Sequence, residues 1–553
     1  MALLERRIGL LFACFLGLLV LAAGRALWLG TIKGSSLASA AASQQVTSTP
    51  LPARRGTIVD RRGVELAVSE PADDISATPY LIKDPVRVAG RLAPILRRPA
   101  DEVARQLARR DTGFVYLARA LPAAQAEQVA RLHVDGLQLT PGHQRVYPRG
   151  TLASQLLGSV GTDGTGLSGL EYSRNSVLEG RDGTRRLVKD ALGESINVRD
   201  TAPARSGERL ELTLDAAIQD KAERVLADVG ATYRPKGATA FVMDPRTGEL
   251  LALANWPRVD ANQPWAAPDY ARQDRAVGFT YEPGSTFKAF TVAGAVEDGR
   301  VTPDTPFDLP PQIQVADRTI GESHPRGRET LTTAEILAQS SNVGAIKIGL
   351  LEGKVRFDQW VRRFGFGRPT GVDLPGEERG LVLPVAKYSG STMGNLPIGQ
   401  GLSVTPMQMA QAYAAIANGG ILRSPQVVRR VNGKRVVPPK GHRVISERTA
   451  RELREMLEGA FAPGGTASEV SIPGYKLAGK TGTANKIDPT TGEYSKSRYI
   501  ASFMGFAPAL HPRLLIGVMV DEPQGAIYGG QVAAPAFGEI ASFALPYLRI
   551  PPQ

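Results

Sequence analysis

The sequence predicts an α+β protein: a helical cluster on an antiparallel sheet, an elongated β-rich region ahead of it, and one N-terminal membrane helix. Three observations point there. An uncharged apolar run opens the chain. Strand-like alternation occurs near both ends of the region 206–553. Helical spacing fills its middle, at 286–297, 333–350, 406–418 and 447–461. Strands far apart in the chain, with helices between them, close one sheet from distant segments.

Ile8 to Gly24 is 17 residues without a charge, about 25 Å as a helix. Extension through Ala26-Leu27-Trp28-Leu29 reaches the roughly 30 Å thickness of a hydrocarbon core. Arg6 and Arg7 place the N-terminus in the cytoplasm, Arg25 and Lys33 weaken that bias, and Trp28 suits the outer interface. A signal peptide cleaved near Ala38-Ser39-Ala40 is the alternative, but the apolar run is longer than an ordinary signal core. Cys14 sits in a faint lipoprotein-like context, and the apolar run after it argues against cleavage there. A retained single-pass anchor is expected, with the rest of the chain outside the cytoplasm.

The expected organisation is a tail and anchor over 1–33, a Ser/Ala/Thr/Gln-rich linker over 34–52, a first block over 53–205 and a second over 206–553. In the first block, Arg55 to Gly63 reads as a strand running into a turn at Arg62-Gly63, followed by Val64 to Val68. Ala100 to Arg110 puts Val103, Ala104 and Leu107 on one helical face. A second helix, Pro122 to Leu132, follows the strand-like Phe114 to Leu117. No motif there offers a nucleophile, so the block reads as structural.

In the second block, Glu208 to Leu214 alternates as a half-buried strand and Asp215 caps the helix after it. Ala238 to Met243 and Glu249 to Ala254 form a hairpin. Tyr499 to Phe506 and Leu514 to Val520 are two further strands.

Lys+Arg 66 against Asp+Glu 54 gives a net charge of +12. The basic residues are scattered, which reads as a solvated surface rather than a nucleic-acid stripe. A single cysteine excludes an intrachain disulfide and a CxxC metal site. The five histidines are far apart and form no HExxH pair. Neither a metal nor a cofactor is called for. Acid–base chemistry is left to Lys, Ser, Asp or Glu.

Three short motifs carry chemistry. Ser285 and Lys288 lie in Glu282-Pro-Gly-Ser-Thr-Phe-Lys288, at the start of an apolar helix, where a three-residue spacing faces both the same way. Serine is a poor nucleophile until a base takes its proton, and a helix start offers free N–H groups to an oxyanion. Alone, this is as readily a cap and a surface lysine. Ser340-Ser341-Asn342 alone would be an ordinary polar helix segment. Lys480-Thr481-Gly482-Thr483 suits an edge strand whose backbone a ligand approaches, or a turn. Together, in this order, Ser-x-x-Lys, Ser-x-Asn and Lys-Thr-Gly form the signature of penicillin-binding proteins and class A β-lactamases.

The resemblance is wider than the triplet. Arg55-Gly-x-x-x-Asp60-Arg61-x-Gly63, Arg145-x-Tyr147-Pro148-x-Gly150 and Gly166-x-x-Gly169-Leu170-Glu171 resemble the non-catalytic, dimerisation-type pedestal of class B penicillin-binding proteins. Gly399-Gln400-Gly401, Thr405-Pro406, Asp521-Glu-Pro, Tyr528-Gly-Gly and Ala533-Ala-Pro-x-Phe537 resemble their transpeptidase domain. Glu282 to Lys288 and Phe364-Gly-Phe-Gly with Asp373-Leu-Pro-Gly look most like the division (septal) branch; the elongation branch is the near alternative. The likeness covers nearly everything after residue 50, includes no glycosyltransferase domain, and implies a monofunctional transpeptidase.

The resemblance implies that Ser285 attacks the D-Ala-D-Ala amide of a peptidoglycan stem peptide and that an amine on a second stem peptide resolves the acyl-enzyme. Lys288 is the expected base, with its pKa lowered by repulsion from Lys480. Ser340 relays a proton, and Asn342 positions Lys288 or the substrate. Lys480, Thr481 and Thr483 hold the terminal carboxylate, with Gly482 between them. The N–H groups of Ser285 and Thr483 form the oxyanion hole. Implied partners are lipid-linked precursor, nascent strands, β-lactams, and by analogy a polytopic glycosyltransferase and other division proteins. The rivals are a secreted β-lactamase, for which no Glu-x-x-Leu-Asn follows Ser340, and an inactive β-lactam-binding scaffold.

Overall fold

The computed structural model describes residues 2–33, 46–189, 195–488 and 490–552. Helix α1 (Ala2–Thr31) includes Arg6–Thr31, long and apolar enough to cross a membrane and not buried against protein. Residues 34–45, with the alternative cleavage site at Ala38-Ser39-Ala40, lie outside the described residues. Val46–Leu51, expected to be linker, is instead a strand paired antiparallel with Gly183–Lys189.

The remainder forms two compact units that are not sequential. One comprises 1–54, 71–143 and 180–206; the other comprises 55–70, 144–179 and 207–553. Segments 55–70 and 144–179, expected in the first block, thus pack into the second unit. In the first unit the amphipathic helices Pro85–Leu96, Ala100–Leu107 and Ala123–Ala130 bury Leu92, Val103, Leu107 and Val129 against Val115 and Leu117 of the strand Val115–Pro122.

The second unit is built on a five-stranded antiparallel sheet. Its strands are β1 (Gly237–Met243), β2 (Leu250–Trp256), β3 (Ala478–Ile487), β4 (Tyr494–Ala507) and β5 (Leu514–Asp521), in the order β2-β1-β5-β4-β3. The hairpin and the distant strands therefore close one sheet, as the alternation predicts. Nearly every residue of β1, β2 and β5 is buried, because helices cover both faces. On one face lie α2 (Ala216–Tyr233), capped by Asp215, and the C-terminal Gly529–Tyr547 helix; Leu226, Phe537 and Ile540 meet Val242, Phe503 and Val518 there.

The other face carries α3 (Lys288–Glu297), α4 (Thr333–Ala338), α5 (Asn342–Glu352), α6 (Pro406–Ala417) and α7 (Glu447–Glu458). Phe290 packs among Phe287, Phe364, Phe366 and Tyr413. The Gly529–Tyr547 helix is α8. The helix expected over 333–350 is two helices, α4 and α5, broken at Ser340 with φ +62°. Ser341 starts the second by accepting from the Gly344 N–H at 2.9 Å. A local cap outcompetes a continuous helix where a serine pair offers it.

The motifs of segments 55–70 and 144–179 form a buried ion cluster. Glu171, with no exposed surface, accepts from Arg55 Nε at 2.6 Å and from Arg145 Nε at 2.7 Å. Arg55 also donates to the Glu171 carbonyl at 2.7 Å and to Asn175 Oδ1 at 2.7 Å. Asp60 accepts from the N–H groups of Arg62 and Val64 and from Ala216 at the start of α2. This cluster bonds the pedestal-like motifs to one another and to the sheet-bearing unit. Removing Glu171 leaves two buried guanidinium groups without a counter-charge. Glu171→Ala is expected to destabilise the protein by about 3–5 kcal/mol, read as a loss of soluble yield and a lower midpoint in urea unfolding.

Candidate active site

The site forms where three segments meet between the sheet edge and the helical layer. Ser285 lies in a 3₁₀ turn, Gly284–Phe287, and Lys288 is the first residue of α3. The expectation of a single helix from Ser285 onward is corrected to a tight turn followed by a helix. Tyr413 of α6 holds the turn by donating to the Thr286 carbonyl at 2.6 Å. Gly399 holds it from another side, its carbonyl accepting from Gly284 N at 3.0 Å. Glu282 accepts from Gly401 N at 2.9 Å and Tyr494 Oη at 3.2 Å. The Gly-Gln-Gly segment is therefore the outer brace of the serine turn.

The Lys-Thr-Gly strand is β3, at the sheet edge, with Lys480 opposite Met504, Thr481 opposite Phe503 and Thr483 opposite Ala501 on β4. A Cβ on Gly482 would lie 2.4 Å from Ser502 Oγ and 3.0 Å from the Pro283 carbonyl, so only glycine lets the strand approach the serine turn. From the turn side, Gly284 has φ +55° and a Cβ there would sit 2.9 Å from the Thr483 carbonyl. Gly529 N donates to Thr483 Oγ1 at 3.1 Å, fixing the Tyr528-Gly-Gly segment beside the strand.

The break at Ser340 aims its carbonyl at Lys288. Lys288 Nζ donates to Ser340 O at 2.6 Å and to Asn342 Oδ1 at 2.7 Å, and lies 3.3 Å from Ser340 Oγ. Lys288 is 1% exposed and Lys480 fully buried. Burial pushes the Lys288 ammonium down to about 7; the Arg326 cation adds to that and the Glu322 carboxylate opposes it. The expected cause, repulsion from Lys480, is thereby corrected: desolvation in a packed interior carries the shift. Lys480 is held well below its ordinary value by burial and then by the Lys288 cation.

Ser285, Ser340, Thr481 and Thr483 line one cleft of about 500 Å³, together with Arg326, His324 and Tyr528. The His324 and Tyr528 rings stand 5.0 Å apart at its wall. Lys288, Asn342, Lys480 and Gly482 are absent from its lining, and the two lysines are buried behind it. Ser285 Oγ makes no hydrogen bond among the described residues, so its hydroxyl is open to the cleft. A wider groove of about 820 Å³ runs between α2 and α8, past Lys221, Arg224 and Phe543, and contains none of the motif residues.

Glu322 and Arg326 escape the sequence reading. Gly321-Glu-Ser-His-Pro-Arg326 has neither helical nor strand periodicity, and only the folded chain brings it beside Ser340. A serine hydroxyl open to a cleft, an edge strand along it and a buried lysine of lowered pKa behind it can support acyl transfer through serine.

Comparison with known proteins agrees with this geometry. Residues 238–542 match the penicillin-binding protein transpeptidase domain and residues 50–212 the penicillin-binding protein dimerisation domain. The chain is 34% identical to penicillin-binding protein PbpB of Mycolicibacterium smegmatis, over 97% of this chain and 89% of that protein. It is 33% identical to peptidoglycan D,D-transpeptidase FtsI of Escherichia coli K12, over 99% and 92%. Among solved structures, penicillin-binding protein 3 of Mycobacterium tuberculosis in complex with aztreonam superposes with a TM-score of 0.72 at 32% identity, covering 91% of this chain and 98% of that one. With both domain families matched and relatives named PbpB and FtsI aligned over almost its whole length, the chain belongs to the class B penicillin-binding proteins.

Proposed function

We propose that the protein cross-links peptidoglycan during septal wall synthesis through an acyl-enzyme on Ser285. The observation that carries this reading is that Ser285, Ser340 and the β3 edge line one cleft while Lys288, buried behind it, donates to Ser340. A lysine at its ordinary pKa near 10.4 is neutral about once in 2,500 molecules at pH 7. With the value near 7, about half of the Lys288 side chains are neutral there. Neutral Lys288 takes the Ser285 Oγ proton as Oγ bonds to the carbonyl carbon of the penultimate D-Ala. Ser340 relays that proton, giving its own to the departing D-Ala nitrogen as the C–N bond breaks and taking the one on Lys288 in its place. The amine of a second stem peptide then attacks the ester, a new amide forms, and Ser285 Oγ regains its proton.

The N–H groups of Ser285 and Thr483 receive the oxyanion, and Lys480, Thr481 and Thr483 hold the terminal carboxylate. Asn342 keeps Lys288 in register. The same steps end in a stable ester when a β-lactam ring is opened, since the acyl group stays tethered to its leaving nitrogen. Helix α1 anchors the protein with its N-terminus in the cytoplasm and both compact units outside. A polytopic glycosyltransferase and other division proteins are its expected neighbours, and a tagged copy in growing cells is expected at midcell; lateral-wall labelling would favour the elongation role.

Ser285→Ala is expected to abolish covalent labelling by a fluorescent penicillin while leaving the thermal midpoint nearly unchanged; a persistent adduct would displace Ser285 as the nucleophile. The acylation rate of the intact protein is expected to rise with pH through an apparent value of about 7, because the base acts only when deprotonated. A profile flat from pH 6 to 9 would remove Lys288 from that role. Lys288→Met is expected to lower acylation by about 10²–10⁴-fold. Its stability effect carries a sign. The folded pKa lies below the unfolded value, so the intact protein is penalised fully below pH 7 and the penalty fades toward pH 10.5. The variant's stability relative to the intact protein should therefore be more favourable at pH 6 than at pH 9, as measured by urea unfolding at the two values.

A further inference from the structure

We propose that Glu322 is a positioning residue for the reaction: its carboxylate fastens the 321–326 segment across the start of α5 and so holds Ser340 and Asn342 against Lys288. The inference rests on Lys288 being the base. Glu322 Oε1 accepts from Ser341 Oγ at 2.6 Å and from Val343 N at 3.1 Å, and Oε2 accepts from Asn342 N at 2.7 Å. These are charge-assisted bonds to otherwise unpaired donors of a helix start. Asn342 is gripped a second time, its Nδ2 donating to the Gly321 carbonyl at 3.0 Å while its Oδ1 accepts from Lys288.

Four residues on, Arg326 closes the other side. It donates to the Gln339 carbonyl at 2.9 Å and to Gln339 Oε1 at 2.9 Å. The clamp thus holds residue 339 on one side of Ser340 and residues 341–343 on the other. Between them Ser340 is kept in the left-handed region, a conformation that L side chains rarely adopt unless the surroundings impose it. That conformation directs the Ser340 carbonyl to Lys288 Nζ.

The clamp also sets the charge around the base. Lys288 is faced by Glu322 and Arg326 from this segment and by Lys480 from β3. On α4, Glu335 is taken up by the Thr332 N–H and hydroxyl, and Glu297 at the far end of α3 by Ser446. The two ends of the clamp act on Lys288 with opposite sign, the carboxylate favouring the ammonium and the guanidinium disfavouring it.

The test compares Glu322→Gln, Arg326→Gln and Glu322→Ala in the full-length protein, reading the pH profile of acylation by a fluorescent penicillin and the thermal midpoint. Glu322→Gln keeps an acceptor oxygen but removes the charge, so its alkaline-rising limb is expected about one pH unit lower. Arg326→Gln is expected to move the limb to higher pH. Glu322→Ala, losing the bonds as well, is expected to acylate about tenfold more slowly or worse at its own optimum. A merely structural role would lower the midpoint and leave both profiles in place; that result, or shifts of the same sign in both Gln variants, overturns the proposal. Should Glu322→Ala fail to fold, the two Gln variants decide. A crystal structure of Glu322→Gln provides a readout independent of acylation. Ser340 is expected to stay left-handed with Asn342 Oδ1 against Lys288 Nζ, and loss of both overturns the positioning role. Failure of the unmodified protein to react with penicillin would instead refute the functional reading alone.

Discussion

A lysine buried away from solvent is the constraint around which the sheet-bearing unit's cleft is arranged. Lys288 sits 1% exposed, and its pKa falls from 10.5 to about 7. Holding a cationic group there costs the fold on the order of 5 kcal/mol below pH 7, a large share of a protein's ordinary net stability. The interior repays part of it with the Ser340 carbonyl and the Asn342 amide. Both acceptors exist only because the chain breaks between α4 and α5, so the strained Ser340 and the buried base are two sides of one arrangement. The second buried lysine, Lys480, is likewise held well below its ordinary value by burial and by Lys288.

The approach of backbone to backbone is the second requirement. The Ser285 turn and the β3 edge are separated by nearly two hundred residues, and glycines at 284 and 482 let their main chains meet without a side chain between them. The brace from Gly399 and Gly401 to Gly284 and Glu282 fixes the turn from its other side. In this way a motif that carries no chemistry of its own settles where the serine hydroxyl stands. The ion cluster of Arg55, Arg145 and Glu171 has a comparable role in segments that precede the sheet: three motifs far apart in the chain share one carboxylate.

The parts legible in the sequence are those governed by local rules. Short apolar runs bounded by turn residues marked β1, β2, β4 and β5, and their separation along the chain marked a sheet assembled from its ends. The 406–418 and 447–461 patterns appear as α6 and α7, because amphipathic spacing and the capping residues Thr405 and Ser446 act within a turn or two. The apolar run of α1 was legible for the same reason. The 333–350 pattern was misread as continuous because a left-handed serine has no signature in composition; tertiary contacts impose it. Chain order, by contrast, says nothing about which compact unit segments 55–70 and 144–179 join.

The sequence by itself determined the chemical types in play: a serine, two lysines, a Ser-x-Asn and a Lys-Thr-Gly in a fixed order, with a long apolar helix ahead of them. Such identities are written residue by residue. What tertiary structure decided was the electrostatics. Desolvation, rather than the neighbouring lysine, lowers Lys288, and the Glu322–Arg326 segment reaches the site although nothing in its pattern announces it. Burial and the distance between charges are properties of three-dimensional packing, and no one-dimensional spacing specifies them.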